Sequence, residues 1–204
     1  MWMVNVRYDG AIMATQRLVL VHGYKGTPTN HWFPWLTEAM EKHGWDVAAP
    51  ALPAPDKPVC GDWVKTIAEA AGDVDDNTYI VAHSLGCIAT LRFLESLPDG
   101  HACGGAILVA VFSETTDAGR SERRNSFLEP PLNYEKVKAS VKKIVAIHSD
   151  NDPFIPLKNG EIMRDKLGAE LHVVSNAGHF MKKDGFVEFP LVRERLLAIS
   201  GPTS

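Results

Sequence analysis

Six apolar, β-branched runs recur along the chain, and their spacing limits the folds open to it. They are RLVLVHG (17–23), WDVAAPAL (45–52), NTYIVAHS (77–84), GGAILVAVF (104–112), KKIVAIHS (142–149) and AELHVVS (169–175), each bounded by Gly, Pro, Asn or Asp. Runs this continuous suit strands covered on both faces, as in a parallel sheet, rather than the half-wet strands of an antiparallel one. Helical patterns lie between them. Trp32, Trp35, Leu36, Ala39, Met40 and His43 share one helix face that Gly44 can terminate, and Trp63, Ile67 and Ala71 repeat the spacing before Gly72. A third helix runs over 85–97, apolar nearly all round and stopped by Pro98 and Gly100; two more are expected over 157–167 and 190–199.

Strand and helix in alternation mean right-handed crossovers and an α/β fold: a doubly wound, mostly parallel sheet of about six core strands flanked by helices. Ligands of such sheets bind outside the carboxyl ends of the strands. Residues 17–204 read as a single domain. Residues 1–16 read as an N-terminal extension or as an edge hairpin, because Val4, Val6 and Tyr8 alternate with Asn5, Arg7 and Asp9 before an Asp9-Gly10 turn signal. No large cap domain is expected, since the gap between the fourth and fifth strands holds only 113–140. That polar stretch reads as a short flap carrying Arg120, Arg123 and Arg124.

Charge and composition remove several classes of function. A net charge of −4 without a basic run argues against a nucleic-acid partner. The longest apolar runs are too short to span a bilayer. The N-terminus lacks the basic start and apolar middle of a signal peptide, so a cytoplasmic protein is expected. Cys60, Cys87 and Cys103 have neither paired nor metal-ligand spacing and read as reduced thiols.

The stretch IVAHSLGC (80–87) carries the sharpest chemical signal. A strand ends at Ala82 or His83, Ser84 occupies the turn, and a helix begins at Leu85. This is the context of the nucleophile elbow G-x-S-x-G, with Ala82 in place of the first glycine and Gly86 as the second. The competing reading is a serine that caps the helix. A hydroxyl is a weak nucleophile and needs a base, itself oriented by a third group. In this fold the chain order is serine, acid, histidine. After the fifth strand DNDPFIP offers Asp152, chosen for the prolines that fix the loop around it, with Asp150 as the alternative. After the sixth strand NAGHF offers His179. Of the other histidines, His22 and His83 precede their turns and are expected to hold loops by hydrogen bonds. Two backbone N–H groups must stabilise the oxyanion of acyl transfer: Leu85 supplies one, and Tyr24 in HGYKGTPTNHW (22–32) the other.

VLVHGY, TNHWFPWL, AHSLG, DNDPFIP and AGHF together resemble the small serine hydrolases of the YdeN and retinoblastoma-binding-protein-nine type, a compact branch of the α/β-hydrolase superfamily. The resemblance runs from about Leu18 to Ile199. It implies an esterase-like hydrolase of small ester or related acyl substrates, with neither metal nor organic cofactor, whose catalytic residues are Ser84, Asp152 and His179 and whose oxyanion donors are Tyr24 and Leu85. Trp32 and Phe154 are candidate walls of an acyl pocket. The interaction motif L-x-C-x-E does not carry over, because the nearest match, Leu85 to Ala89, ends in alanine. Two rival readings share these residues: a lyase or perhydrolase using the same triad, and a non-catalytic binding module on a hydrolase scaffold.

Overall fold

The structure, a computed structural model, describes residues 15–114 and 126–201. All but the last two residues of the expected N-terminal extension or hairpin, and Arg120, Arg123 and Arg124, lie outside them. Six parallel strands form one open sheet: β1 (Arg17–Val21), β2 (Asp46–Ala48), β3 (Thr78–His83), β4 (Gly105–Val109), β5 (Ile144–Ser149) and β6 (Glu170–Val174), in the order β2-β1-β3-β4-β5-β6. The alternation read from the sequence is thus an α/β-hydrolase-like sheet. The chain leaves β1 toward β2 on one side and returns to β3 on the other, so the strand order reverses at β1. A crevice opens at such a switch point, beyond the carboxyl ends of β1 and β3.

Side chains alternate between two apolar layers because successive Cβ atoms point to opposite faces. Val19, Val21, Ile80, Ala82, Leu108 and Ala146 face α2 (Cys60–Ala71), α3 (Leu85–Ser96) and Lys158–Leu167. Leu18, Leu20, Val81, Ile107, Val109 and Ile147 face α1 (Phe33–Lys42) and the C-terminal helix Pro190–Ser200. In chain order the helix Tyr134–Ala139 is α4, Lys158–Leu167 is α5 and Pro190–Ser200 is α6; a 3-10 turn covers Lys182–Asp184. Helix α3 lies beside the sheet centre and every residue from Leu85 to Leu94 is buried, as its all-round apolar pattern predicts. None of the helices among the described residues is long and apolar enough to cross a membrane.

The segment expected to form a flap is, where described, packed. Phe127, Leu128 and Leu132 are buried, and Arg92 on α3 donates from Nε to the Phe127 carbonyl at 2.8 Å and from Nη2 to the Pro130 carbonyl. Asn133 Oδ1 caps α4 by accepting the Lys136 N–H. Six helical residues with one buried position, Val137, are too few to register as a period.

Candidate active site

Ser84 sits between β3 and α3 with φ +55° and ψ −122°, a backbone that costs a side-chain-bearing residue about 1–3 kcal/mol. Its N–H donates to the Val109 carbonyl of the neighbouring strand at 2.9 Å. Its hydroxyl does not cap α3, which removes the competing reading of this serine. Small residues are needed here because neighbouring backbone approaches closely. A Cβ on Gly86 would lie 2.5 Å from the carbonyl oxygens of Val21 and His22, so α3 starts against the end of β1. Gly23 is pressed on the elbow from the other side: a Cβ there would meet the His83 carbonyl and Ser84 Cβ at 3.0 Å.

The three side chains singled out by chain order converge at this point. His179 Nε2 lies 2.9 Å from Ser84 Oγ, and His179 Nδ1 lies 2.7 Å from Asp152 Oδ2. A carboxylate accepts and does not donate, so Nδ1 carries the imidazole proton and Nε2 is left to accept the serine O–H. Asp152 is wholly enclosed at its side chain, and its other oxygen accepts the N–H groups of Phe154 at 2.8 Å and Ile155 at 3.0 Å. The carboxylate therefore has hydrogen bonds that offset its desolvation.

Asp150, the alternative acid, is turned elsewhere. Its Oδ1 accepts the Asn176 N–H at 2.8 Å, and that bond holds its carboxyl below the usual range. It belongs to a set that the sequence reading did not single out. Ser149 Oγ accepts the Ala177 N–H at 3.0 Å and Asn151 Oδ1 accepts the Gly178 N–H at 2.8 Å. Three consecutive N–H groups ahead of His179 are thus held by three consecutive side chains ahead of Asp152. Beyond the histidine, Asp184 Oδ2 accepts the N–H groups of His179 and Met181, each at 3.1 Å. His83 Nε2 donates to the His179 carbonyl at 2.9 Å. Burial, and then the nearby His179, push His83 well below the ordinary histidine range, so it serves as a neutral strut. His22 has the loop-holding role expected of it: Nε2 accepts the Leu52 N–H at 3.0 Å and Nδ1 faces the Gly23 carbonyl at 3.0 Å. Short polar residues at strand ends and in turns have no periodicity, so Ser149, Asn151 and Asp184 carried no signal in one dimension.

Ser84 opens into a small cleft at the β1–β3 switch point, lined also by Tyr24, Thr27, Asn30, His31 and Met181. Tyr24, named for its N–H, is on the cleft wall, in a loop where the Gly26 N–H folds back on the Gly23 carbonyl at 3.0 Å. Leu85, the other named donor, begins α3 directly after Ser84, where the first N–H groups of a helix lack intrahelical partners. Of the two candidate pocket walls, Phe154 is exposed with its ring 5.1 Å from that of His179, edge to face. Trp32 is not a wall. It is fully buried, its Nε1–H donates to the Phe180 carbonyl at 3.2 Å, and it packs on Phe33 and Phe189 beneath the cleft. Of the helical stripe expected to contain it, Leu36 and Met40 are buried with it, Trp35 and Ala39 are partly buried, and His43 is exposed. The thiols do not compete as nucleophiles: burial pushes Cys60 up to about 11, Cys103 to about 12, and Cys87 well above its ordinary value.

The sequence profile of the serine hydrolase family matches residues 18–198. The chain is 34% identical over 182 residues to YdeN of Bacillus subtilis (strain 168), covering 89% of this chain and 95% of that one. It is 30% identical over 172 residues to the serine hydrolase RBBP9 of Rattus norvegicus, with 82% and 89% covered. The crystal structure of the B. subtilis ydeN gene product superposes with a TM-score of 0.85 over 91% of this chain and 98% of that one.

Proposed function

The chain belongs to the serine hydrolase family, and on that premise we propose that it is a carboxylesterase-like enzyme that cleaves small ester or related acyl substrates through an acyl-enzyme on Ser84. His179 Nε2 takes the Ser84 proton as Oγ attacks the carbonyl carbon. The imidazolium then returns that proton to the departing oxygen, and water repeats the sequence to release the acid. Asp152 keeps the proton on Nδ1 in the resting state and stabilises the imidazolium. The N–H groups of Tyr24 and Leu85 receive the oxyanion; each such donor is typically worth about 3–4 kcal/mol of barrier.

The observation that carries this reading is the unbroken chain of hydrogen bonds from Ser84 Oγ through His179 to Asp152, at 2.9 and 2.7 Å, on a serine whose oxygen has no capping duty. A binding module has no physical need for that alignment. The test treats wild type and Ser84→Ala with a fluorophosphonate probe and assays short p-nitrophenyl esters. Wild type should label and turn over. The variant should lose the label and about 10⁴-fold or more of kcat. Equal labelling of the two would remove Ser84 as the nucleophile.

A further inference from the structure

Among the described residues, the cleft around Ser84 is lined without a carboxylate, lysine or arginine. Besides His179 its imidazoles are His22, His31 and His83, and burial lowers the proton affinity of all three. Those three imidazoles are therefore neutral near neutral pH. His22 has both nitrogens engaged and His83 is spent on the His179 carbonyl. His31 differs. Its Nδ1 accepts the Lys182 N–H at 3.0 Å. A backbone N–H can only donate, so Nδ1 is unprotonated and the ring proton sits on Nε2. That Nε2–H has no partner among the described residues, although the ring is half-buried on the cleft wall. The backbone at His31 is left-handed, φ +56°, which disfavours a ring-bearing residue.

Lys182 lies three residues beyond His179, and Met181 between them also lines the cleft, so the Lys182 bond ties His31 to the segment that carries the imidazole, the group that must protonate the departing oxygen. We propose that His31 is a substrate-positioning residue, locked by Lys182 as the Nε2–H tautomer, which donates a hydrogen bond to an acceptor oxygen in the alcohol half of the substrate. The preferred substrates are then uncharged esters whose alcohol carries an ether, hydroxyl or carbonyl oxygen close to the scissile bond. This rests on the hydrolase reading above.

The experiment compares kcat/KM for 2-methoxyethyl butyrate and n-butyl butyrate, which share the acyl group and nearly share shape. Ratios are taken between variants, so the intrinsic reactivities of the two esters cancel. His31→Gly suits the left-handed backbone and removes the donor. Lys182→Pro removes the locking N–H at the first position of a 3-10 turn, after an extended Met181, where proline is tolerated. Lys182→Ala keeps that N–H. The methoxyethyl preference should fall about 3- to 10-fold in His31→Gly and in Lys182→Pro, and persist in Lys182→Ala. An unchanged ratio in His31→Gly, or an equal loss on both esters in it and in Lys182→Pro, overturns the proposal. If His31→Gly does not fold, the proline variant against the alanine variant decides. Fluorophosphonate labelling separates the two levels: a wild type that does not label fails as a serine hydrolase, whereas one that labels but whose methoxyethyl ratio is the same in His31→Gly fails on His31 alone.

Discussion

The two ends of the sheet reverse the chain by different means. Among the described residues, the turns that enter β2, β3, β4 and β6 place glycine at positive φ: Gly44, Gly72, Gly100 and Gly168. The segments that leave the strands hold Gly178 and Gly185 there too, but they add Lys25, His31, Ala54, Ser84, Ala110, Asn176 and Phe180, each with a side chain. A left-handed residue with a Cβ costs roughly 1–2 kcal/mol, so the carboxyl rim stores strain that the amino end avoids. At Ser84 the reason is plain. Glycine would satisfy the turn and supply no oxygen. Histidines divide the same way: His22, His83, His148 and His179 are buried at or just below the rim, whereas His43 and His101 are exposed at the opposite end. Stability is spent where side chains must be held against water and against one another.

The largest effect expected within the rim separates its two neighbouring acids. Asp152→Asn keeps the shape but presents an amide that cannot hold the Nδ1 proton in the same way. kcat should fall about 10⁴-fold with little change in Tm. Asp150→Ala removes one acceptor of the Asn176 N–H from a solvent-exposed group and should lower kcat by about tenfold at most. Comparable losses in the two variants would mean that the rim works as one undivided loop assembly, with no special role for the residue at 152.

How much of this was legible in the sequence depends on the range of the interactions. All six strands and the principal helices could be read because each carries its own apolar period, and the meeting of Ser84, Asp152 and His179 because each follows a strand end in an order the fold imposes. Trp32 was misread as a possible pocket wall because one helical face looks alike from within the core and from a cleft. The His148 environment, the Ser149–Asn151 grip on 176–178 and the Asp184 contacts were invisible, since each joins residues whose pairing is set by the neighbourhood of β5 and β6. Helix α4 was missed because Asn133 and Val137 are too thin a pattern to stand against a polar background.

His148 tests the same contrast through pH. It is fully buried on β5, neither ring nitrogen has a partner among the described residues, and burial pulls it down to about 4. In the unfolded chain the imidazole titrates near 6.5. As pH falls below that value the unfolded state takes up a proton that the folded state refuses, so stability is greatest above about 6.5 and declines toward 4. The contribution is about 3 kcal/mol over that window. Urea midpoints at pH 7 and pH 4.5 should differ by less in His148→Leu than in wild type, the other groups cancelling in the comparison. An identical decline in both proteins would show that this histidine is not held neutral.

The smallest expected effect compares one glycine from each end of the sheet. Gly44 follows α1 at φ +80°, and a Cβ there would meet nothing within 4 Å. Gly44→Ala therefore carries a conformational cost alone, about 1 kcal/mol, and kcat/KM should stay as it is. Gly86 has no positive φ, yet a Cβ would press on two carbonyl oxygens at the end of β1. Val21 is held in the β1–β3 ladder, so the start of α3 has to move. Gly86→Ala should cost about 1–3 kcal/mol and lower turnover as well, because Ser84 moves with the helix. Chemical denaturation and ester hydrolysis measured on both variants separate the two costs. If Gly86→Ala loses stability but keeps its rate, the elbow is not held in place by its contact with β1, and the strain at Ser84 must be sustained by the Val109 hydrogen bond and the helix alone.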